Sequence, residues 1–520
     1  MLTLPARADV VILGGGHNAL VAAAYLAREG LDVVVLERLD HVGGAAVSER
    51  PWPGLDARLS RYSYLVSLLP DALAADLGLR VQLRDRATAS YTPYPGGGLL
   101  VESEEGEATR ASFRALTGAD DEYAAWRSLA DGLGELAAAV APTLLGPLPD
   151  VADVRDAVDP GIWEDVVLRP IGAAIERRFA HDLVRGVVAT DALIGTFTSL
   201  FDPSLLANRC FLYHVVGNGT GRWRVPVGGM GAVTAELERV AREAGARLVT
   251  GADVHAVDAG GGGVAVVLAD GRAIEAPHVL SGVAPSVLAR LGVRDARGDV
   301  PPAPRGAQVK INLLVDRLPR LASGADPAVA FAGTFHVDEQ LSRLEGAYAA
   351  AAAREPGAPW PVGELYCHTL TDRTILGPPL RDSGAQTLTY FGLHAPPETL
   401  TDAGAHERAW REVASALQAH LAEPLDDLLA RDADGRPCVE VVLPSDLERE
   451  LGMPGGHIFH GDLAWPWLDD GERAGSPAQR WGVATGHERV LVCGSGARRG
   501  GAVSGLGGHH AAHALLEMRE

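Results

Sequence analysis

A glycine-rich motif near the N-terminus has the residue types and spacing of a dinucleotide-binding site. Gly14-Gly-Gly16-His-Asn-Ala19 fits the pattern G-x-G-x-x-G/A, and Glu37 follows 23 residues after Gly14. The glycines permit a tight turn and close approach of a pyrophosphate, while the carboxylate of Glu37 can accept hydrogen bonds from ribose hydroxyls. Because an acid repels a ribose 2′-phosphate, the motif predicts NAD or FAD as the ligand and disfavours NADP.

Lys310 is a second candidate for chemistry, because it is the only lysine among 46 basic residues. It lies in the apolar stretch Gln308-Val-Lys310-Ile-Asn-Leu-Leu-Val, which predicts a strand. A chain that otherwise uses arginine is expected to keep a lysine where a compact ammonium is needed and a planar guanidinium does not fit. The alternative is a lysine at a strand edge whose ammonium reaches solvent.

The sequence predicts no metal site and no acyl-transfer site. His509 and His513 stand four residues apart in a predicted helix, but His510 occupies the place of the glutamate in H-E-x-x-H. A G-x-S-x-G elbow is absent. The cysteines lie far apart without a C-x-x-C pair, so a disulfide framework, a redox couple and a cysteine zinc site are all disfavoured; they are Cys210, Cys367, Cys438 and Cys493.

The elements that must position the glycine motif form a strand, a helix and a second strand. Residues 9–14 and 31–37 are apolar runs, and residues 18–28 carry apolar side chains at helical spacing. A single short crossover helix predicts parallel strands and a right-handed connection. The same pattern returns later in the chain: a helix at 232–244, strands near 247–250, 254–258, 264–268 and 490–494, a hairpin turn at 260–263, and a helix at 509–518.

Charge and hydropathy exclude several classes of partner. Acidic residues outnumber basic ones by 67 to 46, a net charge of −21, which argues against nucleic acid and against an anionic membrane as the main partner. No run of 18 apolar residues predicts a membrane span. We expect a cytoplasmic protein. The apolar residues 133–148 leave open a packed core helix, a wall for a lipid-like substrate or a peripheral membrane contact.

Four segments together resemble the FAD-dependent phytoene-desaturase-like oxidoreductases, within the wider amine-oxidase superfamily. The closest likeness is to the branch called pyridine nucleotide-disulfide oxidoreductase domain-containing protein 2, although no redox C-x-x-C is present. The resemblance covers nearly the whole chain. The segments that carry it are residues 14–46, 225–230, 446–461 and 493–505, which include Val-Gly43-Gly44-Ala45-Ala and Pro-Gly-Gly-His457-Ile-Phe-His460-Gly.

The resemblance implies an α/β fold with a Rossmann-like, discontinuous FAD-binding domain and an α+β substrate domain. We expect the first domain to comprise residues 1–88, 221–292 and 483–520 around a mixed sheet, and the second to comprise 89–220 and 293–482. The resemblance also implies which residues contact FAD: Gly14, Gly16, Asn18, Ala19, Glu37, Arg38, Gly43, Gly44, Ala45, Val254, Gly494, Ser495, Gly496 and Val503.

The same resemblance suggests the catalytic residues. The superfamily carries a lysine near the flavin on a strand like that of Lys310, where an ammonium could assist reoxidation by O2 or position a water. His457 and His460 are candidate bases; in a strand, a separation of three would direct them to opposite faces. Arg498 and Arg499 replace the His-Pro often found in the family, which predicts a more cationic flavin edge.

The expected activity is an FAD-dependent desaturase or dehydrogenase that removes hydride from a C–H bond of a hydrophobic or natural-product small molecule. No second glycine fingerprint follows a strand, so O2 or a quinone is the expected acceptor. A flavin amine oxidase is the alternative, favoured if aromatic side chains rather than aliphatic ones face the flavin. A different class, a scaffold that binds FAD without turnover, stays open. The sequence leaves the oligomeric state undetermined.

Overall fold

The computed structural model of the chain describes residues 4–260, 262–354 and 361–520 and contains two large sheets. The first sheet has five strands, and every neighbouring pair in it is parallel. The glycine motif follows its central strand, as predicted. The prediction of a mixed sheet in this part of the molecule is wrong. The strands in spatial order are Val490–Val492, His278–Ser281, Val10–Leu13, Val33–Leu36 and Arg247–Val249.

Helix His17–Arg28 connects the first two strands of the chain and is buried nearly all round. One side of it packs against the C-terminal helix Leu506–Arg519, and another against helix Met230–Glu243. A Cβ atom on Gly508 would lie 1.8 Å from the backbone oxygen of Asn18, so the close crossing of the two terminal helices requires glycine there. The N-terminal and C-terminal ends of the chain therefore form one core.

The second sheet has seven strands, all neighbouring pairs antiparallel except one. Strand Val309–Val315, which carries Lys310, lies inside this sheet between two partners and is buried along its whole length. The strands in spatial order are Val439–Val442, Val309–Val315, Gln386–Gly392, Gly363–Tyr366, Thr334–Val337, Thr88–Tyr94 and Gly97–Glu102.

Smaller strands and the remaining helices complete the fold. An antiparallel sheet is formed by Val254–Gly260, Gly263–Leu268 and Ala273–Ala276, and two-stranded pairs by Ser48–Glu49 with Leu59–Ser60 and Leu83–Arg84 with Val225–Pro226. The predicted hairpin turn at 260–263 includes residue 261, which lies outside the described residues. The other helices of eight residues or more are Glu107–Thr117, Asp121–Val140, Ile171–Arg178, Asp182–Ala189, Leu206–Val216, Leu341–Ala353, Ala405–Gln418 and Pro444–Leu451. The shorter α-helices are Asp71–Leu77, Val151–Arg155, Pro160–Trp163, Pro285–Arg290, Pro327–Ala330, His368–Thr371, Pro378–Asp382 and Pro477–Arg480.

The apolar residues 133–148 begin inside the long helix Asp121–Val140. Leu136, Val140, Leu144 and Leu148 are buried, the first three of them in a cluster formed mainly by neighbouring helices. The packed core helix that the sequence allowed is therefore observed. Among the described residues, no helix combines the length and the apolar character that crossing a bilayer would require.

The two large sheets draw on the segments that the sequence assigned to two domains. Every strand of the parallel sheet lies within 1–88, 221–292 or 483–520. The seven-stranded sheet begins at Thr88 and otherwise uses residues from 89–220 and 293–482. The domain limits themselves stay a prediction.

Candidate functional site

A cavity of about 450 Å³ extends from the glycine motif to the seven-stranded sheet. Its walls come from both ends of the chain and from the intervening segments. Nearly all the residues that the sequence analysis selected line it: Gly14, Gly16, Asn18, Ala19, Glu37, Arg38, Gly44, Ala45, Val254, Lys310, His460, Gly494, Ser495 and Val503.

The glycine motif forms the turn between strand Val10–Leu13 and helix His17–Arg28. Gly14 has a φ of +81°, which an L side chain adopts only with strain. The space in front of Gly16 is open, since no atom lies within 4 Å of the position a Cβ would take. No side chain caps the N-terminus of the helix. Its first N–H groups therefore remain available for an anion at the cavity wall.

Glu37 directly follows the second strand, Val33–Leu36, and lines the cavity. Its carboxylate accepts hydrogen bonds from the N–H of Gly15 at 2.7 Å and of Leu39 at 2.8 Å, which fix its orientation. A carboxylate has further lone pairs, so it can still accept ribose hydroxyls. Arg38 lies beside it and donates from Nη2 to the backbone oxygen of Glu450 at 2.7 Å.

The C-terminal segment closes the cavity over the N-terminal helix. His17 Nε2 lies 3.0 Å from the backbone oxygen of Ala502, and Asn18 donates from its side-chain nitrogen to Gly500 at 3.3 Å. The side-chain oxygen of Asn18 is buried and has no partner among the described residues. Burial lowers the pKa of His17 to about 4. The imidazole is therefore neutral at pH 7.

Three selected residues do not line the cavity. Gly43 precedes the lining residue Gly44 and does not itself line the cavity. Its N–H donates to the backbone oxygen of Gly15 at 2.8 Å. Gly496 packs against Pro285. His457 is buried, and its Nδ1 accepts from the N–H of Phe459 at 3.2 Å. The resemblance implied that Gly43 and Gly496 contact FAD and that His457 is a candidate base; these roles stay predictions that the lining of the cavity does not support.

The segment with the two histidines is not a strand. A 3₁₀ turn at Pro454–Gly456 precedes it, and His460 itself has a φ of +64°. This conformation directs His460 into the cavity wall without its neighbour His457. Burial lowers the pKa of His460 to about 4. The side chain is therefore a neutral imidazole at pH 7 and could accept a proton only weakly.

Lys310 is buried, with 4% of its surface exposed, and does not reach solvent from a strand edge, so that alternative is wrong. Its Nζ donates to the backbone oxygens of Ser60 at 2.5 Å and Ser63 at 3.2 Å. The ring of Phe391 lies 4.8 Å from the same nitrogen. Burial lowers the pKa of Lys310 to about 7. Two of its three possible donor directions are used, which leaves one for a group in the cavity.

The two arginines near the C-terminal glycines do not face the cavity. Arg499 is completely buried and donates to the backbone oxygens of Thr143 and Gly146. Arg498 pairs with Glu472. The prediction of a more cationic flavin edge is therefore wrong, because both guanidiniums are used to anchor neighbouring loops.

The substrate end of the cavity includes residues that the sequence analysis missed. Tyr64 and Tyr366 have ring centroids 4.8 Å apart, and Phe391 lies 5.8 Å from Tyr366. The same cavity is also lined by three charged side chains, those of Arg86, Asp191 and Glu364. No local motif contains these residues. One sequence signal could have identified two of them. In the strand Gly-Glu-Leu-Tyr, side chains alternate between the two faces, so Glu364 and Tyr366 lie on one face of an otherwise apolar sheet.

Comparisons with known proteins identify the family. Residues 20–432 match the model of the family described as flavin containing amine oxidoreductase. A protein of Mycobacterium tuberculosis is 49% identical over 98% of this chain and 97% of its own length. The mouse pyridine nucleotide-disulfide oxidoreductase domain-containing protein 2 is 30% identical over 98% and 93%, which confirms the predicted branch.

A solved structure confirms the fold. Cyclohexylamine oxidase from Brevibacterium oxydans has a TM-score of 0.57 to this chain at 15% identity, covering 99% of this chain and all of its own. The likeness spans both sheets, as the predicted Rossmann-like and substrate-binding parts require.

The residues present fit a flavin dinucleotide. The open space at Gly16, the uncapped helix and the unpartnered oxygen of Asn18 all lie along one cavity that continues to Lys310. The predicted cofactor, FAD, agrees with the family match, which also supports an enzyme over a scaffold. This chain belongs to the flavin-containing amine oxidoreductase family and is an FAD-dependent oxidoreductase.

Proposed function

We propose that this enzyme oxidises a C–H bond next to a basic nitrogen in a small molecule. This is the amine oxidase activity that the sequence analysis gave as the alternative to desaturation. The observation that carries the proposal is a group of three aromatic rings in the lining of the cavity, one of which, Phe391, lies against Lys310. Tyr64, Tyr366 and Phe391 present ring faces and edges to the same end of the cavity, and aromatic faces attract cations.

Acidic side chains at this end support a cationic substrate. Asp191 lines the cavity, and desolvation raises its pKa. An amine arrives in water mostly as an ammonium and must lose a proton before its neighbouring carbon is oxidised. A carboxylate of raised basicity in the lining of the same cavity is suited to take that proton.

Bound FAD would accept the hydride and so supply the redox chemistry. The chain's own residues hold the substrate and exclude water: the aromatic rings orient the amine, and Asp191 accepts the proton. Lys310 is suited to hold a water or O2 through its remaining donor direction, which supports O2 as the acceptor. The product imine reacts with bulk water after it leaves the cavity, which gives a carbonyl compound and ammonia or an amine.

Anaerobic titration of the FAD-loaded protein tests the proposal. A panel of primary and secondary amines is added without NAD(P)H, and loss of the yellow absorbance is recorded. We expect at least one amine to bleach the protein. Tyr64→Leu should raise the concentration needed by at least 10-fold, whereas Tyr64→Phe should keep it, because phenylalanine retains the ring that packs against Tyr366.

Desaturation is the second candidate, and apolar side chains in the cavity favour it. Ile194, Ile458 and Phe459 line the wall near His460. Long isoprenoids belong in the same titration for this reason. Bleaching by an isoprenoid and by no amine would contradict the amine proposal and support hydride removal that gives a new C=C bond.

A further inference from the structure

A buried cluster of one histidine and two glutamates lies behind the aromatic end of the cavity. His336 and Glu364 are directly opposite each other on antiparallel strands. Glu339 follows the first strand after a turn in which Asp338 has a φ of +55°. The three residues expose only 2%, 3% and 0% of their surfaces, respectively. Sheet register and one turn therefore bring three metal-ligating side chains to one point.

Each member of the cluster has one polar atom held by a neighbouring hydroxyl. Thr92 contacts His336 Nδ1 at 2.7 Å, and Thr190 donates to Glu339 Oε1 at 3.2 Å. Tyr366 donates to Glu364 Oε2 at 2.5 Å. This arrangement orients the imidazole and both carboxylates from outside, as the neighbours of metal ligands commonly do.

The remaining atom of each side chain faces the common space. His336 Nε2 lies 3.7 Å from Glu339 Oε2 and 4.0 Å from Glu364 Oε1, too far for hydrogen bonds. Glu339 Oε2 is buried without any partner among the described residues. All three atoms lie within 4.8 Å of one another, so one ion could lie about 2.0–2.5 Å from each, the range of metal–ligand distances.

Charge supports a cation at this point. No lysine or arginine nitrogen among the described residues comes within 4.0 Å of either carboxylate; Arg86 instead donates to the hydroxyl of Thr334 at 3.2 Å. Two buried carboxylates without a cation are strongly disfavoured unless they take up protons. A divalent cation would make the set electrically neutral.

We propose that His336, Glu339 and Glu364 bind a divalent transition-metal ion, Zn²⁺ or Mn²⁺. Imidazole and carboxylate are ligands for both ions. Because Glu364 also lines the cavity, the ion can enter from there and keep open positions toward it. The ion would hold Glu364, and through it the ring of Tyr366 in the aromatic wall. The proposal replaces the expectation of a metal-free protein.

Metal analysis of the FAD-loaded protein tests the site. The protein is stripped with a chelator, titrated with ZnCl₂ or MnCl₂, desalted and measured by plasma mass spectrometry. We expect about one ion per chain. Glu339→Gln should lower the content at least 10-fold, because its amide can still accept from Thr190 but presents a nitrogen to the ion. The matched control Glu412→Gln, on helix Ala405–Gln418, should keep the ion.

Two results would overturn the proposal. One is a stripped protein that takes up neither ion, which makes the cluster a pair of protonated carboxyl groups. The other is equal metal content in unaltered protein and Glu339→Gln, which assigns the ion to the acidic surface. If Glu339→Gln does not fold, zinc X-ray absorption of the unaltered protein decides: a shell of one imidazole with oxygens supports the site, and sulfur or several imidazoles contradict it.

Discussion

Lys310 shows how one side chain acquires its properties from its position. A strand inside the seven-stranded sheet keeps its ammonium buried at the cavity wall, and two backbone carbonyls hold it beside Phe391. Burial lowers its pKa to about 7, so the ammonium and the amine are both accessible near neutral pH. A guanidinium would require more donors to be satisfied in the same space.

Replacing this lysine should affect one half of the catalytic cycle. We expect Lys310→Met to slow the return of the yellow colour about 10-fold or more when photoreduced protein is mixed with oxygen, because the buried cation that stabilises developing negative charge is lost. Reduction by substrate should change much less. Stopped-flow absorbance measures both rates, with Lys310→Arg to test the need for a compact ammonium. Unchanged rates in both directions would remove the lysine from the mechanism.

Buried histidines at the cavity should make the protein sensitive to acid. His17 and His460 have pKa values lowered by burial to about 4, below the unfolded value of 6.5. The unfolded chain therefore binds more protons between pH 6.5 and 4, and the free energy of unfolding falls as the pH drops through this range, by up to about 1.4 kcal/mol per pH unit for each histidine.

Thermal unfolding of the FAD-loaded protein at pH 7.5, 6.5, 5.5 and 4.5 measures this effect. His460→Asn should flatten the dependence, and asparagine tolerates the positive φ at this position. The matched control is His255→Asn at an exposed strand position, which should leave the slope unchanged. An identical slope in His460→Asn would show that the acid sensitivity originates elsewhere.

At the scale of elements, the crossing of the two terminal helices positions the cofactor motif. Helix His17–Arg28 presents its N-terminus to the cavity only because helix Leu506–Arg519 packs against it from behind. Gly508 allows the backbones to approach at the level of Asn18, whose side chain reaches Gly500. The distance between the two helices therefore sets the position of the first turn of helix His17–Arg28 relative to its ligand.

A methyl group at this crossing should destabilise the protein. In Gly508→Ala the Cβ would lie 1.8 Å from the backbone oxygen of Asn18, so the helices must separate. We expect a loss of about 1–3 kcal/mol or more and weaker FAD retention. The matched control Gly346→Ala, in helix Leu341–Ala353 with no atom near the added Cβ, should be neutral or stabilising by up to about 1 kcal/mol. Thermal melts of both variants decide; equal midpoints would contradict the packing argument.

At the scale of the whole molecule, the two ends of the chain enclose one cavity whose far end belongs to the middle of the sequence. The five-stranded sheet combines strands from residues 10–36, 247–281 and 490–492. A ligand that contacts this sheet and the segments around Lys310 therefore joins distant parts of the chain. Binding to the folded state alone stabilises it by mass action.

FAD should accordingly raise the unfolding temperature of the cofactor-free protein. At 100-fold excess over the dissociation constant the gain is about 2.7 kcal/mol. Riboflavin is the control, because it lacks the ADP half that we expect to contact Gly14, Gly16 and Glu37, and its effect should be clearly smaller. Differential scanning fluorimetry over a concentration series measures both. Equal shifts, or a protein that stays colourless with FAD, would contradict the assigned site.

The sequence by itself determined the family and the parallel unit at the N-terminus, and it selected mostly residues that line one cavity. These features depend on consecutive residues: a glycine turn, a helix N-terminus and an acid at the end of a strand are local in the chain. His457, Gly43 and Gly496 lie outside the lining of the cavity, because the path of each turn, and not the local sequence, sets which of its residues face inward. The prediction that Arg498 and Arg499 make the flavin edge more cationic was wrong for a related reason. The backbone oxygens that accept hydrogen bonds from these arginines are more than 20 residues away in sequence.

Only the tertiary structure decided what surrounds the substrate end. Tyr64, Asp191, Glu364 and Phe391 come from four separate segments, and except for the alternation around Glu364 nothing in their local sequence marks them. Sheet register puts His336 opposite Glu364, and one turn adds Glu339. Register is a property of strands that pair across long loops, so the burial, charge and convergence of these side chains exist only in the folded chain.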